Sequence, residues 1–299
     1  MSTGLHARIW ALAWPMLLSN ITAPLLGLVD TAVVGHLPDS AYLAAVALGG
    51  NFFMFLYFSF NFLRMSTTGL VSQTVGAGGN TLVVLARAGL LALGIGVLLI
   101  VLHPALRELG LTLLGGNDQV QSLARDYINL RIWGAPATLG TFALIGFSIG
   151  LHNTRIPLII TIIMNGANAI LDVVLVNGLG LDVDGVAIAS MSAQYLGLGS
   201  GLWLLRHHIR AGLGHWPARA LRQVEPLLRL LSVNRDIFLR TLALLAVFFF
   251  FTAQGARLGE TILAANAVLI TFMLVLSNAL DGFANAAEAL VGDAHGRGE

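Results

Sequence analysis

The chain contains no cysteine, which excludes disulfides, thiolate metal sites and thiol nucleophiles. It contains no lysine either: all 16 basic residues are arginine, a bias that points to a GC-rich genome rather than to chemistry. Without a lysine, and without a strand leading into a helix, the glycines at 76–79 do not read as a phosphate-binding loop. Charge of either sign is scarce. Only 10% of residues are charged, against about 25% in soluble domains, so a water-facing surface cannot be covered. A net charge of +1 gives no reason to expect a nucleic-acid partner. A cleavable leader is not evident, because the first apolar run, 9–34, is too long for a signal core and no small-residue cleavage site follows it. No nucleophile–base pair or metal-ligand spacing stands out, so an enzyme is the least expected class and no cofactor is expected.

What the chain does have is apolar length: 57% of its 299 residues are hydrophobic and the mean hydropathy is +0.82. A membrane helix needs about 20 mostly apolar residues. Eight stretches qualify, roughly 9–34, 43–64, 82–103, 121–151, 156–176, 185–205, 236–256 and 261–291. The expected fold is all-α, a polytopic membrane helix bundle. Arginine placement orients it. Arg206, Arg210, Arg219, Arg222, Arg229 and Arg235 fall between the sixth and seventh spans, and Arg8 and Arg155 belong to the same side. Asp39, Asp182 and Asp184 mark the other side, where Arg107, Arg125 and Arg131 are accompanied by Glu108, Asp118 and Asp126. The N-terminus is therefore expected in the cytoplasm.

Shifting the sequence by 220 residues aligns 35–78 with 255–298 without a gap, and 11 of the 44 positions are identical. Leucine and alanine matches are cheap between apolar segments. The glycine pairs Gly76/Gly296 and Gly78/Gly298, at the end of a span, are harder to obtain by accident. Secondary transporters are often built from such repeats, with the site at the repeat interface. An even number of spans separates the two starts, so both repeats point the same way and are related by an axis along the membrane normal. The resulting division is a six-helix lobe over 1–206, an Arg-rich cytoplasmic linker over 207–235, and the first two helices of a second lobe over 236–299. A full second half needs four more helices, so the sequence reads as C-terminally truncated.

Polar residues inside spans carry the functional signal. At 100° per residue, Asn20, Ala23, Gly27, Asp30 and Thr31 fall within a stripe of roughly 100° on the first span. Pro24 removes a backbone donor there and favours a bend. Asp30 either exchanges a cation inside the bundle or sits solvated near the outer interface, capping a helix end. Asn165, Asn168 and Asp172 lie within about 60° of arc on the fifth span. They either hold a proton or sodium ion or act as polar glue between helices, typically worth about 0.6–2 kcal/mol. On the eighth span Asn278, Asp281, Asn285 and Glu288 recur at steps of three and four, suited equally to packing or to lining a cavity. Arg64 with SQTVGAG, and HNTRIP at 152–157, read as cytoplasmic helix–loop features, with Arg155 anchoring to headgroups or to the loop. His207, His208 and His215 belong to the solvated linker, and the Phe248–Phe251 run reads as lipid-facing, because four consecutive positions face all round a helix.

Several segments resemble one transporter family. NITAPLLGLVDTAVVGHL (20–37), RMSTTGLVSQTVGAG (64–78), GLHNTRIP (150–157), NAILDVVLVNGLGLDVDGVAIAS (168–190), NRDIFLR (234–240) and NALDGFANAAEALVG (278–292) look like multidrug and toxin extrusion (MATE) antiporters, and several, especially the first, second and last, resemble the DNA-damage-inducible protein F branch. The resemblance spans essentially the whole chain and about two thirds of the family's twelve-helix pattern. It implies export of amphipathic, often cationic compounds against inward flow of protons or sodium ions, as two lobes rock between outward- and inward-open states. It implies coupling roles for Asp30, Asp172 and Asn168, with Asn20, Thr31, Asn165 and Ser190 lining the cavity and Asp281, Asn285 and Glu288 as second-lobe candidates. Ser190 stands where the family usually carries a threonine. Ala23 stands where a polar residue is frequent, which weakens the case for a full sodium shell at Asp30, Asn168 and Asp172 and favours protons. The implied partners are a small-molecule drug or toxin and the lipid bilayer; the implied state is a monomer in the bacterial inner membrane. Two other readings stand beside it. One is a truncated remnant that inserts without transporting; the other is a lipid-linked precursor flippase, against which the scarcity of mid-span arginines counts.

Overall fold

Backbone polar groups in hydrocarbon must bond within their own segment, so apolar runs of this length become helices. The computed structural model describes residues 2–35, 39–213, 235–248, 250, 251, 254 and 260–299, apart from the side chains of 2, 3, 21–31, 213, 260–264, 267, 268, 271, 274, 275 and 279. Among the described residues every regular element is helical. The helices are α1 (Ser2–Val34), α2 (Ser40–Ser59), α3 (Phe62–Gly76), α4 (Thr81–Leu114), α5 (Asp118–Arg131), α6 (Ala135–Gly150), α7 (Arg155–Asp172), α8 (Asp182–Leu204), α9 (Arg206–Leu213) and α10 (Glu260–Arg297), with further helical backbone at 235–248. Among the described residues, four stretches, Ser40–Gly76, Thr81–Leu114, Asp118–Gly150 and Arg155–Gly178, are long and apolar enough to cross a membrane.

The expected spans recur as helices, except that 249, 252, 253, 255 and 256 of the seventh lie outside the described residues, but the helices outrun the apolar runs. The second span continues to Gly76 and the third to Leu114, because helical hydrogen bonding extends past the hydrocarbon boundary wherever the next side chains have a surface to pack on. Polar caps start several of them. The carboxylate of Asp39 accepts from the Ala41 amide at 2.9 Å, Asn80 from Leu82 at 3.0 Å and Asn117 from Val120 at 2.9 Å. The second span is interrupted at Phe60–Asn61, where the bonds tighten to i→i+3 (Leu63 N to Phe60 O, 3.0 Å; Arg64 N to Asn61 O, 3.1 Å).

Without a hydrophobic drive between helices in lipid, small residues decide which backbones meet. Gly146 and Gly150, one turn apart on α6, press against α3. A Cβ on Gly146 would collide with the Arg64 carbonyl, and one on Gly150 would stand 2.6 Å from Val71 Cβ. On its other side α3 meets α10. There a Cβ on Gly76 would collide with the Asp293 carbonyl oxygen, one on Gly296 with the Gln73 carbonyl oxygen, and one on Gly292 with Ser72. Gln73 and Asp293, Gly76 and Gly296, and Ser72 and Gly292 are related by the 220-residue shift. The contact is therefore reciprocal: residue i of one repeat meets residue j of the other, and j meets i, the mark of a two-fold. A similar relation, one residue out of register, holds one layer away. α1 packs on α10 with Leu17 Cγ 2.9 Å from where a Gly282 Cβ would be, while Phe238 of the later helical stretch packs on Phe62, ring centroids 6.0 Å apart.

The main core lies among α2, α4, α5, α6 and α8, around Phe53, Tyr127, Ile128, Ile132 and Leu139. Arg107 and Arg125 both bind Glu108, at 2.9 and 3.1 Å, and Arg131 lies 5.0 Å over the Phe53 ring. The three arginines that ran against the expected charge bias are thus each spent locally.

Candidate functional site

α7 and α8 bury a polar cluster between them. Asn168, Asp172 and Ser190 are 4%, 0% and 2% exposed. The Asn168 amide donates to the Asp172 carboxylate, and the Ser190 hydroxyl donates to Asn168 Oδ1 at 3.4 Å. The step of four residues within α7 brings the first two together, and α8 supplies the third. Directly after Asp172 the backbone widens into a π-helical turn, Val173–Gly178, a distortion frequent at functional sites. Asn165, one turn back, is half-buried. α1 packs along α7, with Ser19 Oγ donating to Thr161 Oγ1 at 2.9 Å. The side chains of Asp30 and Thr31, both on α1, lie outside the described residues.

A second polar cluster spans the seam between the repeats. Asn20 Nδ2 donates to the Asn278 carbonyl at 2.8 Å, tying α1 to α10. Arg64 stands in the first turn of α3, where Nε donates to Asn61 Oδ1 at 3.1 Å and Nη1 to Asn285 Oδ1 at 3.4 Å. Its guanidinium also interacts electrostatically with the carboxylates of Asp281 and Glu288. Asn285 is 5% exposed, Glu288 half-buried and Asp281 exposed.

This corrects the expectation for Arg64. It is a helical residue, not part of a loop. It lies at the break of the second span, and the SQTVG stretch after it is helical and packed against α10. An isolated charge inside a span is a signal legible in principle, but it was absorbed into the glycine-rich stretch that follows. Nearer the chain's end, His152 Nε2 lies 3.1 Å from the Ala289 carbonyl and 4.0 Å from Asp293 Oδ2, and Arg297 Nη2 lies 3.5 Å from the same carboxylate oxygen. Sequence spacing gave no hint of that second clasp. Arg155 is exposed. His207 and His208 belong to α9, next to Arg206, whose guanidinium covers the Trp203 ring at 4.1 Å, and His215 lies outside the described residues. Phe250 and Phe251 are exposed, Phe248 lines an apolar cavity of about 550 Å³ with Phe52, Leu56 and Leu109, and Phe249 lies outside the described residues.

The chain is an all-helical membrane bundle with an internal repeat, a carboxylate buried between α7 and α8 and a polar seam where the repeats meet. A family model described as MatE matches residues 15–174, over half of the chain, and the chain belongs to that family. DNA damage-inducible protein F of Escherichia coli (strain K12) is 44% identical over 298 residues, covering 98% of this chain and 64% of that protein. A probable multidrug resistance protein NorM of Bradyrhizobium diazoefficiens is 29% identical over 302 residues, covering 96% of this chain and 63% of that protein. A crystal structure of MATE in the bent conformation superposes with a TM-score of 0.86 at 22% identity, over 98% of this chain and 66% of that one, which shows the fold. The chain spans less than two thirds of the length of these curated relatives.

Proposed function

We propose that the chain is the whole or part of a secondary active transporter that exports amphipathic or cationic compounds by antiport with protons or sodium ions. The supporting observation is Asp172, a carboxylate with no water contact, hydrogen-bonded to Asn168 inside a membrane helix bundle. Such a group is costly to leave charged and is retained where it takes up and releases a cation. In this reading Asp30, Asp172 and Asn168 couple to the ion, Asn20, Thr31, Asn165 and Ser190 line the first-lobe cavity, and Asp281, Asn285 and Glu288 line the second. The lobes are 1–206 and 236–299, joined by a cytoplasmic linker, with the N-terminus in the cytoplasm and the chain acting as a monomer in the bacterial inner membrane. Efflux of a fluorescent cationic dye from cells expressing the chain tests it. Asp30→Asn and Asp172→Asn are expected to abolish ion-driven efflux with expression unchanged. Efflux equal to wild type in either variant removes that residue from the mechanism. Imposing a proton gradient or a sodium gradient separately in proteoliposomes then separates the two ions.

A further inference from the structure

Where the reciprocal glycine contact ends, a charged clasp crosses the seam that the repeat does not call for. The turn between α6 and α7 carries His152 at φ +60, a backbone conformation few non-glycine residues adopt. From there Nε2 reaches to 3.1 Å from the Ala289 carbonyl and 4.0 Å from Asp293 Oδ2 on α10. A carbonyl only accepts, so this contact assigns a hydrogen to Nε2 and leaves Nδ1 to take up the second proton. Asp293 is 6% exposed and also holds Arg297 Nη2 at 3.5 Å, which lies 3.4 Å from Glu299 Oε2. With the ring neutral, two carboxylates against one guanidinium leave one surplus negative charge; with the ring charged, the four groups balance. The counterparts of Asp293 and Arg297 under the 220-residue shift are Gln73 and Ala77, so these charges are private to α10. The other charged groups on the neighbouring helices stand apart. His6 and Arg8 of α1, Arg155 of α7 and His295 of α10 are exposed, Arg87 of α4 is half-buried, and Arg64 of α3 is bonded to Asn61 and Asn285.

We propose that His152 and Asp293 form a proton-operated latch on the α3–α10 seam. The charged ring draws the α6–α7 turn onto the end of α10 and holds the seam shut. The neutral ring leaves Asp293 to Arg297 of its own helix, and the seam parts more readily. Imidazole is the side chain whose charge ordinarily changes between about pH 5 and 8, so acid favours closure. The physiological role rests on the reading of the chain as an exporter driven by inward protons: protons accumulating in the cytoplasm then throttle the cycle that admits them. The latch itself can be measured without transport.

The experiment uses the 299-residue chain in lipid nanodiscs with a single introduced thiol. Ser72→Cys places it inside the seam, where a polar maleimide reaches it only when the helices part. Ala211→Cys, in a separate chain, places it on the exposed side of α9 and reports the pH dependence of the reagent. Labelling at position 72 relative to position 211 is expected to be about fivefold slower at about pH 5.5 than at about pH 8. His152→Asn, chosen because asparagine also tolerates positive φ, and Asp293→Asn are each expected to abolish that difference. Arg297→Gln, which leaves the ring and its carboxylate in place, is expected to keep it. No difference in the parent, or a difference retained in His152→Asn or Asp293→Asn, overturns the proposal. Melting temperature is the second readout, because a seam too tight to label still melts. The loss caused by His152→Asn is expected to be larger at the acid pH, and an equal loss at both overturns the proposal as well. Absence of export with this pH pattern intact counts against the transport reading alone.

Discussion

At the scale of single residues, glycine does in this chain what large side chains do in a water-soluble core. Lipid is as apolar as leucine, so helices associate by close packing rather than by escape from water. Gly146 shows the consequence, since its Cα faces the Arg64 carbonyl of α3 with no room for a methyl group. Gly146→Ala is expected to destabilise the protein by about 1–3 kcal/mol, read as a lower melting temperature of the detergent-solubilised chain. Gly89, inside α4, has nothing within 4 Å of its Cβ position. Gly89→Ala is expected to be neutral or to stabilise by up to about 1 kcal/mol, because only the helix propensity changes. A fall in melting temperature as large for position 89 as for position 146 would show that generic loss of glycine, not contact with α3, sets the cost.

At the scale of elements, α3 is the helix to watch, since it is gripped by α6 glycines on one side and by α10 glycines on the other. Ser72 is fully buried in that second grip. A thiol introduced by Ser72→Cys is the sole thiol of the chain and is expected to react slowly with a polar maleimide. Adding Gly76→Val pushes a branched side chain into the Asp293 backbone, so the helices part and labelling is expected to speed up about tenfold or more, the effect of roughly 1.4 kcal/mol on the closed seam. Labelling that stays slow shows that the seam yields elsewhere. How much of this was legible beforehand differs by element. The arc of Asn165, Asn168 and Asp172 follows from helical steps alone, and so does the line of Asn278, Asp281, Asn285 and Glu288. The paired Gly76 and Gly296 stood out as a repeat. The break at Phe60–Asn61 did not, because neither proline nor glycine marks it. The π turn after Asp172 and the clasp of His152 on Asp293 were equally hidden, since both depend on which helices meet, and periodicity within one helix is silent on that. Arg64 departs from expectation for the same reason, since its partner Asn285 lies 221 residues away.

At the scale of the whole molecule, the reciprocal contact between α3 and α10 places a two-fold through the point where their glycines cross. Two lobes that rock about such an axis cannot both keep this contact and open on its side, because backbones in van der Waals contact leave no passage between them. The seam must therefore part once per cycle if the chain transports by alternating access. Absence of cysteine makes the point directly testable. A Cβ on Gly292 would lie 3.0 Å from Ser72 Cβ, a few tenths of an ångström short of the roughly 3.5–4.5 Å that a disulfide spans. Ser72→Cys combined with Gly292→Cys should therefore bridge under mild oxidation, with no other thiol to compete. Loss of both maleimide-labelling sites reports the bridge, and the single variants control for oxidation itself. The bridged chain is expected to stop exporting dye, and reduction is expected to restore export. Export at the unbridged rate while both thiols remain protected would mean that substrate crosses without the α3–α10 seam ever opening, and rocking about this axis could not then be how the lobes work.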